Sequence, residues 1–524
     1  AGISSFGSGG TNAHVVIQQC NAYGTTSNTT NNSNNNNTSD VTAINTSNSD
    51  RPEKTERNVR MGWLFPGQGT TLSPSEFGRL ELFETENVVF QHTIHCVSNF
   101  FDTEALYPAL VDVMYPDTNT TDTDAEDRAA ELLKFSTPHA QLAHFAFQAG
   151  LAAVLTARLN ATHADADSEE VEEITPTVVM GHSLGEYAGA VAAGALSLET
   201  AAHMVHERSK LLEDSDSSNI STSSSTSTSG GIMMAVRASG ASLQQEIDAL
   251  KLADRVAVAA INGPNSCVLS GDSEAVKAVS DAVGGPSREL STGGIAYHSP
   301  AICDAADRYL EKLKQMVASG QIDLSSNTSN TTLTTNTKKV KDGNIAMVSC
   351  LTGKSASLDD FRTPTYWVDQ MKGTVRFEEG ARSLCALLDG TSTVNLNAES
   401  SNAEGSNNDC FTSEPVPVPV LVEVGRGSVC VDLVKSGDIA TPAANTGTTT
   451  KTTKAKSYVY VSCIGATEKK NKVGSHMTDS RKSTFRAAVS TLQRLYGQTC
   501  GNPNTGKGGR WSPKYVNYVV CLGG

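Results

Sequence analysis

The sequence predicts an α/β fold: an α/β-hydrolase-like large subdomain on a parallel sheet, with an inserted small ferredoxin-like (βαββαβ) subdomain. Three observations carry this expectation. Over residues 58–230 short apolar runs alternate with amphipathic segments, the rhythm of strands and helices that cover both faces of a parallel sheet. One of these runs, "TPTVVM", stops at Gly-His-Ser-Leu-Gly and gives way at once to a small-residue helical stretch. Over residues 231–292 the rhythm changes to strand, helix, two strands joined by a turn, helix and strand.

The elements follow in chain order. "RMGWLFPGQG" is a short buried strand stopped by a Pro-Gly turn, since Pro has no N–H to continue a ladder. "AQLAHFAFQAGLAAVLTARL" is long, rich in Ala and Leu, and helical. "TPTVVM" is a buried strand, "LGEYAGAVAAGALS" a helix that begins right after Ser183, and "LETAAHMVHERSKLLED" an amphipathic helix carrying Arg208. In the inserted block "IMMAVRA", "VAVAAING", "SCVLSG" and "SRELST" are strands, with "SLQQEIDALKL" and "SEAVKAVSDAV" as its helices. Asn262-Gly263-Pro264-Asn265 turns the middle pair. From Ile295 the chain returns to the larger subdomain. There "AMVSCLTG" and "PVLVEVG" are strands, "TPTYWVDQMKGTVRFEEGARSLCALL" is helix-rich, and residues 484–499 form a last amphipathic helix.

The length of 524 residues exceeds that of a usual single domain. Apolar residues make up 38%, and the deficit sits in Asn/Ser/Thr tracts at about 25–51, 215–229, 324–338, 391–413 and 440–456. Such tracts bury too little apolar surface to offset chain entropy, so surface loops or disorder are expected there. The net charge of −15, without a dense Lys/Arg cluster, argues against a nucleic-acid partner. The eleven cysteines are scattered without metal-ligand spacing, and Cys267 and Cys350 fall in strand-like runs where a reduced thiol acts as a small hydrophobe. A reducing, cytoplasmic setting is expected. No run of about 18 apolar residues is read, so no membrane partner is expected. The chain opens at Ala1 in mid-motif, and a piece of a longer protein is expected.

A strand running into Gly-X-Ser-X-Gly and then a helix is a nucleophile elbow. It makes Ser183 a candidate nucleophile, because the free N–H groups at the helix start favour a developing oxyanion. The plainer alternative is an N-capping Ser in an ordinary turn. Among the eleven histidines, His92, His95, His144, His203 and His206 fall on helical faces. His182 lies on the wrong side of the elbow to serve as the base. His298, in "GGIAYHSP", sits on a Gly-flanked loop of the kind that carries catalytic groups. Gln68, in "FPGQG", sits on a Pro/Gly turn where it and a neighbouring N–H could hold an oxyanion. From pattern alone, Arg208 reads as a solvated or helix-pairing arginine.

The motifs "FPGQG", "GHSLGEYAGAVAAGALSLETA", "GGIMMAV", "VAVAAINGPNSCVLSGDSEAV", "AYHSP", "YWVDQMKGTVRF" and "LVEVGRGSV" occur in that order. Together they resemble a malonyl-CoA:acyl-carrier-protein acyltransferase domain of a type I polyketide synthase, over about residues 60–500. "GISSFGSGGTNAHVVI" at the start resembles the C-terminal tail of a ketosynthase domain. The resemblance implies a ketosynthase tail at 1–17, a polar low-complexity linker at 18–57, an acyltransferase domain at 58–499 with its ferredoxin-like subdomain at 231–292, and a linker at 500–524.

The resemblance also implies roles. Ser183 is the nucleophile and His298 the general acid/base, supported by Gln370. Gln68 and the backbone N–H of Leu184 form the oxyanion hole. Arg208 clamps the carboxylate of the extender unit, and Gln141, His182 and Tyr297 also line the substrate site. Tyr297 and Leu184 lean to malonyl over methylmalonyl, while Ile295 fits neither of the family's familiar tetrapeptides. No bound cofactor or metal is implied; the substrate is malonyl-CoA and the acceptor a phosphopantetheinyl carrier protein. The partners are that carrier protein and the ketosynthase domain. The competing readings are a serine hydrolase or thioesterase, which would want an acid in a triad, and a catalytically inactive docking fragment of a synthase.

Overall fold

The computed structural model describes residues 2–6, 12–16, 59–68, 73–77, 82–83, 88–117, 124–160, 174–221, 231–325, 345–390, 419–437, 439, 458–464, 482–497 and 519–520. The chain divides into two compact units, Ala1–Thr55 and Glu56–Gly524. The first holds an antiparallel hairpin of β1 (Gly2–Phe6) and β2 (Asn12–Val16), with Gly2 opposite Val16 and Phe6 opposite Asn12. The expected 18–57 linker lies outside the described residues, as do the tracts at 25–51, 391–413 and 440–456. The tracts at 215–229 and 324–338 are described only to residues 221 and 325, and the 500–524 linker only at 519–520.

In the second unit β3 (Met61–Phe65) and β4 (Val178–Gly181) precede the inserted block of β5 (Gly231–Val236), β6 (Val256–Gly263), β7 (Ser266–Asp272) and β8 (Ser287–Leu290). After it come β9 (Ala346–Val348), β10 (Ser355–Ala356), β11 (Val420–Arg426), β12 (Val459–Ile464) and β13 (Val519–Val520). The main sheet has the order β10-β9-β4-β3-β11-β12-β13. It is parallel except for β10, which runs against β9.

Before the inserted block the helices are α1 (Val88–Asn99), α2 (Leu110–Met114), α3 (Ala125–Phe135), α4 (Thr137–Asn160), α5 (Gly185–Ala192) and α6 (Leu198–Ser221). The block contributes α7 (Gly240–Leu250) and α8 (Ser273–Val283). Then follow α9 (Cys303–Ser319), α10 (Pro364–Lys372), α11 (Phe377–Asp389), α12 (Val429–Ser436) and α13 (Lys482–Gly497). Alternation along the strands sorts the core. Met61, Trp63 and Phe65 of β3 join a cluster with α4, α6, α9 and α10, whereas Leu64 faces the opposite cluster with α11 and α12. Both faces of the sheet are therefore covered, as its apolar strands require.

Helix α4, an apolar helix interrupted by His139, Gln141, His144 and Gln148, is the longest such stretch among the described residues. By length and composition it could cross a membrane, but 78% of its most apolar window is buried inside the domain, which makes it a core helix. Three element lengths differ from expectation. The helix after the elbow ends at Ala192, because Gly194 at φ 76° turns the chain before α6. The strand "AMVSCLTG" is limited to Ala346–Val348, and Cys350 sits in the turn beyond it. The helix-rich stretch is two helices, parted at Gly373–Arg376.

The inserted block forms an antiparallel sheet in the order β6-β7-β5-β8, with α7 and α8 packed through Leu243, Ile247, Val276 and Val279. This is the expected βαββαβ arrangement. Its β6 edge meets the break between α10 and α11. There Val375 N–H donates to Ala259 O at 2.9 Å and Ile261 N–H to Val375 O at 2.8 Å. Thr374 Oγ1 adds a bond to Val258 O at 2.7 Å. The residues that link the two helices are thereby stitched to the inserted subdomain.

Candidate active site

The site begins where β4 runs into Gly181-His182-Ser183-Leu184-Gly185 and then α5. The turn is so tight that only glycine fits on either side of Ser183. A Cβ at 181 would lie 2.1 Å from Glu186 N, and one at 185 would lie 2.3 Å from Phe65 O. Ser183 itself is held at φ 49°, in the left-handed region. Non-glycine residues enter that region at a cost of about 1–2 kcal/mol, so the neighbouring packing must enforce it.

The Ser183 hydroxyl donates to Nε2 of His298 at 2.7 Å. His298 is buried at 4% exposure and is also held at positive φ, 59°. Its Nδ1–H donates to Gly373 O at 2.9 Å, a bond that fixes the tautomer and leaves Nε2 free to accept from the serine. Gly373 caps the C-terminus of α10, where helical carbonyls lack internal partners. Burial, helped by the charge of Arg208 and by His182, pushes the His298 pKa down to about 3. The imidazole is therefore neutral across the physiological range, with Nε2 unprotonated and open to accept from the serine. Serine, imidazole and backbone carbonyl make a dyad with the geometry for general-base activation of Oγ.

Gln370 meets both halves of the dyad, its backbone hydrogen-bonding His298 and its side chain reaching elsewhere. Its side chain turns to the elbow, and Nε2 donates to Ser183 O at 2.8 Å. The imidazole is carried by the backbone of Gln370 and Gly373 at the end of α10, because Gly373 ends the helix and leaves its last carbonyls open. Through its side chain Gln370 thus acts on the nucleophile, and through its backbone on the base. Its Oε1 is buried without a partner among the described residues.

Arg208 lies on α6 and is 1% exposed, so the solvated reading does not hold. Its Nη1 donates to Gln141 Oε1 of α4 at 2.9 Å, and the guanidinium lies 6.0 Å from the Tyr187 ring centroid. Its Nε has no partner, and among the described residues no carboxylate pairs with it. An uncompensated buried cation costs several kcal/mol, and a planar guanidinium with open donors is the group that binds a carboxylate through two parallel bonds.

Gln68 follows Gly67, which packs on the elbow so closely that a Cβ there would lie 2.9 Å from His182 O. Gln68 Oε1 is buried without a partner among the described residues. Gln68 lines a cavity with Ala140, Glu213, Ile295 and Tyr297. Tyr297, next to His298 in the chain, is half-buried and packs on both core clusters. Leu184 caps the N-terminus of α5 and is 3% exposed. His182 donates from Nε2 to Asn262 Oδ1, near the end of β6, at 2.9 Å, and its ring centroid lies 5.5 Å from that of Phe377. Burial lowers its pKa, so it is a neutral tie between the elbow and the inserted subdomain, with that nitrogen already committed.

Pattern reading missed Gly373, Thr374, Asn262 and Glu186. Glu186, three residues after Ser183, is completely buried. Its signal was present in "LGEYAG", where an acid stands in a helix of otherwise small and apolar residues.

An acyl transferase domain family model matches residues 63–395. Among curated proteins, the highly reducing polyketide synthase PKS6 of Gibberella zeae is 32% identical over 228 residues, 43% of this chain and 8% of that protein. The phenolphthiocerol synthesis polyketide synthase type I Pks15/1 of Mycobacterium marinum is 30% identical over 328 residues, 62% of this chain and 12% of that protein. The chain therefore spans only a small part of these relatives' length. Among solved structures, the acyl transferase domain of ZmaA aligns at a TM-score of 0.54 and 18% identity, covering 85% of this chain and 78% of that one. Malonyl-CoA:acyl carrier protein transacylase from Helicobacter pylori aligns at 0.50 and 16%, covering 83% and 99%. At these identities the likeness is one of fold.

Proposed function

The chain belongs to the acyl transferase domain family, and from that premise we propose that it moves a malonyl extender unit from CoA to Ser183 and then to the phosphopantetheine thiol of a carrier protein. The observation that carries this reading is Arg208, buried, tied to Gln141 and without a carboxylate partner among the described residues. A hydrolase of simple esters has no use for a buried cation beside its serine; a transferase of carboxylated acyl groups does. The acceptor and the place of the reaction in polyketide synthesis are supported by the kind of proteins that the relatives are. The expected domain bounds belong to this reading too: a ketosynthase tail at 1–17, a transferase at 58–499 and flanking linkers. So do a ketosynthase partner and a cytoplasmic setting.

In the reaction His298 Nε2 takes the Ser183 proton as Oγ attacks the thioester carbon. The oxyanion forms toward the backbone N–H of Leu184 and the side chain of Gln68. His298 returns the proton to the departing CoA sulfur, leaving an acyl-serine ester. The carrier thiol then gives its proton to Nε2 and attacks that ester, and the proton goes back to Oγ as the acylated thiol leaves. Burial at the dyad disfavours water as the competing acceptor. Malonyl is preferred over methylmalonyl because Tyr297 and Leu184 supply bulk near the dyad.

Incubation with equimolar malonyl-CoA, methylmalonyl-CoA and acetyl-CoA, followed by peptide mass spectrometry, tests the reading. Malonyl on Ser183, discharged to a holo carrier protein faster than to water, is expected. Acetyl as the dominant adduct, or discharge to water alone, would overturn it.

A further inference from the structure

Glu186 is a buried acid that the chemistry above does not use. It is 0% exposed, in the first turn of α5. Its Oε1 accepts from Cys350 N–H at 2.7 Å and from Tyr366 O–H at 2.8 Å, while Cys350 Sγ lies 3.0 Å from Oε2. Tyr366 also contacts Ser349 Oγ at 2.7 Å. Tyr366 and Gln370 stand one helical turn apart on α10, so one face of that helix meets both the carboxyl and the elbow. The same helix delivers Gln370 Nε2 to Ser183 O and Gly373 O to His298 Nδ1.

We propose that Glu186 is a positioning residue for the Ser183–His298 dyad: by gripping Tyr366 and the Cys350 backbone it fixes the pose of α10, and through α10 the two groups that hold serine and imidazole in line. Filling space does not require an acid at this position, since an apolar or amide side chain of similar volume would fill it without a charge to desolvate. What a carboxylate adds is the ability to accept from several donors at once. Dyad geometry is where a small displacement is amplified into rate.

The protonation of the grip matters as well. Burial pushes the Glu186 carboxyl up to about 7, opposed by the donors of Cys350, Tyr366 and Gln370. The titratable groups facing it are Cys350 and Tyr366, with Tyr187 on its own helix, and burial holds all three above their ordinary values. Glu186 is thus the group in this cluster that changes charge near neutrality. The ionised form accepts from every donor around it. A proton on Oε2 turns that atom into a donor toward Cys350 Sγ and weakens the grip on that side.

The experiment compares wild type, Glu186→Gln and Tyr366→Phe. It measures Ser183 labelling by a fluorophosphonate, which needs only the dyad, and acylation by malonyl-CoA, each against pH, with melting temperatures alongside. The inference rests on the acyl-transfer reading only for the choice of the second substrate. Expected are an E186Q labelling rate and kcat about tenfold below wild type at pH 8, with KM within about twofold. The wild-type decline through neutrality disappears in E186Q, whose melting temperature at pH 8 is unchanged or raised. Y366F, which keeps the carboxyl, labels about threefold slower. Wild-type labelling rates and pH profile in E186Q overturn the inference, and if E186Q does not fold, a wild-type rate in Y366F does so. Fluorophosphonate labelling of wild type without uptake of malonyl would sink the proposed substrate and leave the role of Glu186 standing.

Discussion

Ser183 and His298 meet at 2.7 Å, Oγ to Nε2, and both hold left-handed backbone, at φ 49° and 59°. Two non-glycine residues in that region within one hydrogen bond mark a site whose geometry is enforced by its surroundings. The enforcing contacts are the Phe65 strand end against Gly185, Gln370 on the Ser183 carbonyl, and Gly373 on the imidazole. The dyad is thus assembled from four separate segments of chain.

Removal of either member should abolish turnover. Ser183→Ala is expected to lower acyl transfer at least about 10³-fold with the fold intact, and His298→Ala to do the same. Stopped-flow release of CoA, with circular dichroism for the fold, reads both. Residual acyl-enzyme in Ser183→Ala would move the nucleophile elsewhere.

In the proposed reaction Arg208 should set selectivity for a charged acyl group. Arg208→Ala should lower kcat/KM for malonyl-CoA by at least about 30-fold, equivalent to about 2 kcal/mol. Acetyl-CoA turnover should stay level or rise, because that substrate has no carboxylate to lose. Parallel losses on both substrates would make Arg208 a structural residue. Lysine should not substitute, since it cannot reproduce the two parallel bonds.

The inserted subdomain should be felt at the dyad through Thr374. Its hydroxyl binds Val258 O, one residue from the Gly373 carbonyl that orients His298. Thr374→Val is expected to reduce the acylation rate by roughly threefold to tenfold with KM unchanged. Steady-state kinetics on malonyl-CoA test this, and a change confined to KM would contradict it.

How much of this was legible in the sequence depends on the range of the interaction. The elbow, its two glycines and the βαββαβ order are local patterns, and they survive intact. The stop at Gly194 and the break at Gly373 were written as single glycines inside helical rhythm, where a tolerated glycine and a terminating one look alike. The partner of Arg208, the target of Gln370 and the surroundings of Glu186 come from residues that only packing brings together, so no spacing announces them. The acid in "LGEYAG" was the one local hint of a buried polar cluster.

Two buried acids should make stability depend on pH in an unusual direction. Burial raises the carboxyls of Glu423, which accepts from the N–H of Val431, and of Glu186 to about 7. With the native state holding these protons more tightly than the unfolded chain, their contribution is full below the unfolded carboxyl range and lost as pH rises through about 7. For Glu423→Gln, the melting temperature relative to wild type should therefore rise from pH 5 to pH 8.5, reflecting on the order of 3 kcal/mol. Differential scanning calorimetry at the two pH values checks the sign; a pH-independent difference would contradict it.

The most direct test is the fate of a carboxylated acyl group at Ser183. Wild type and Arg208→Ala would be given malonyl-CoA and acetyl-CoA in competition, with the Ser183 peptide identified by mass. Malonyl on Ser183 in wild type, acetyl in the variant, and discharge of the wild-type adduct to a carrier thiol are expected. The same adduct ratio in both proteins would contradict that expectation.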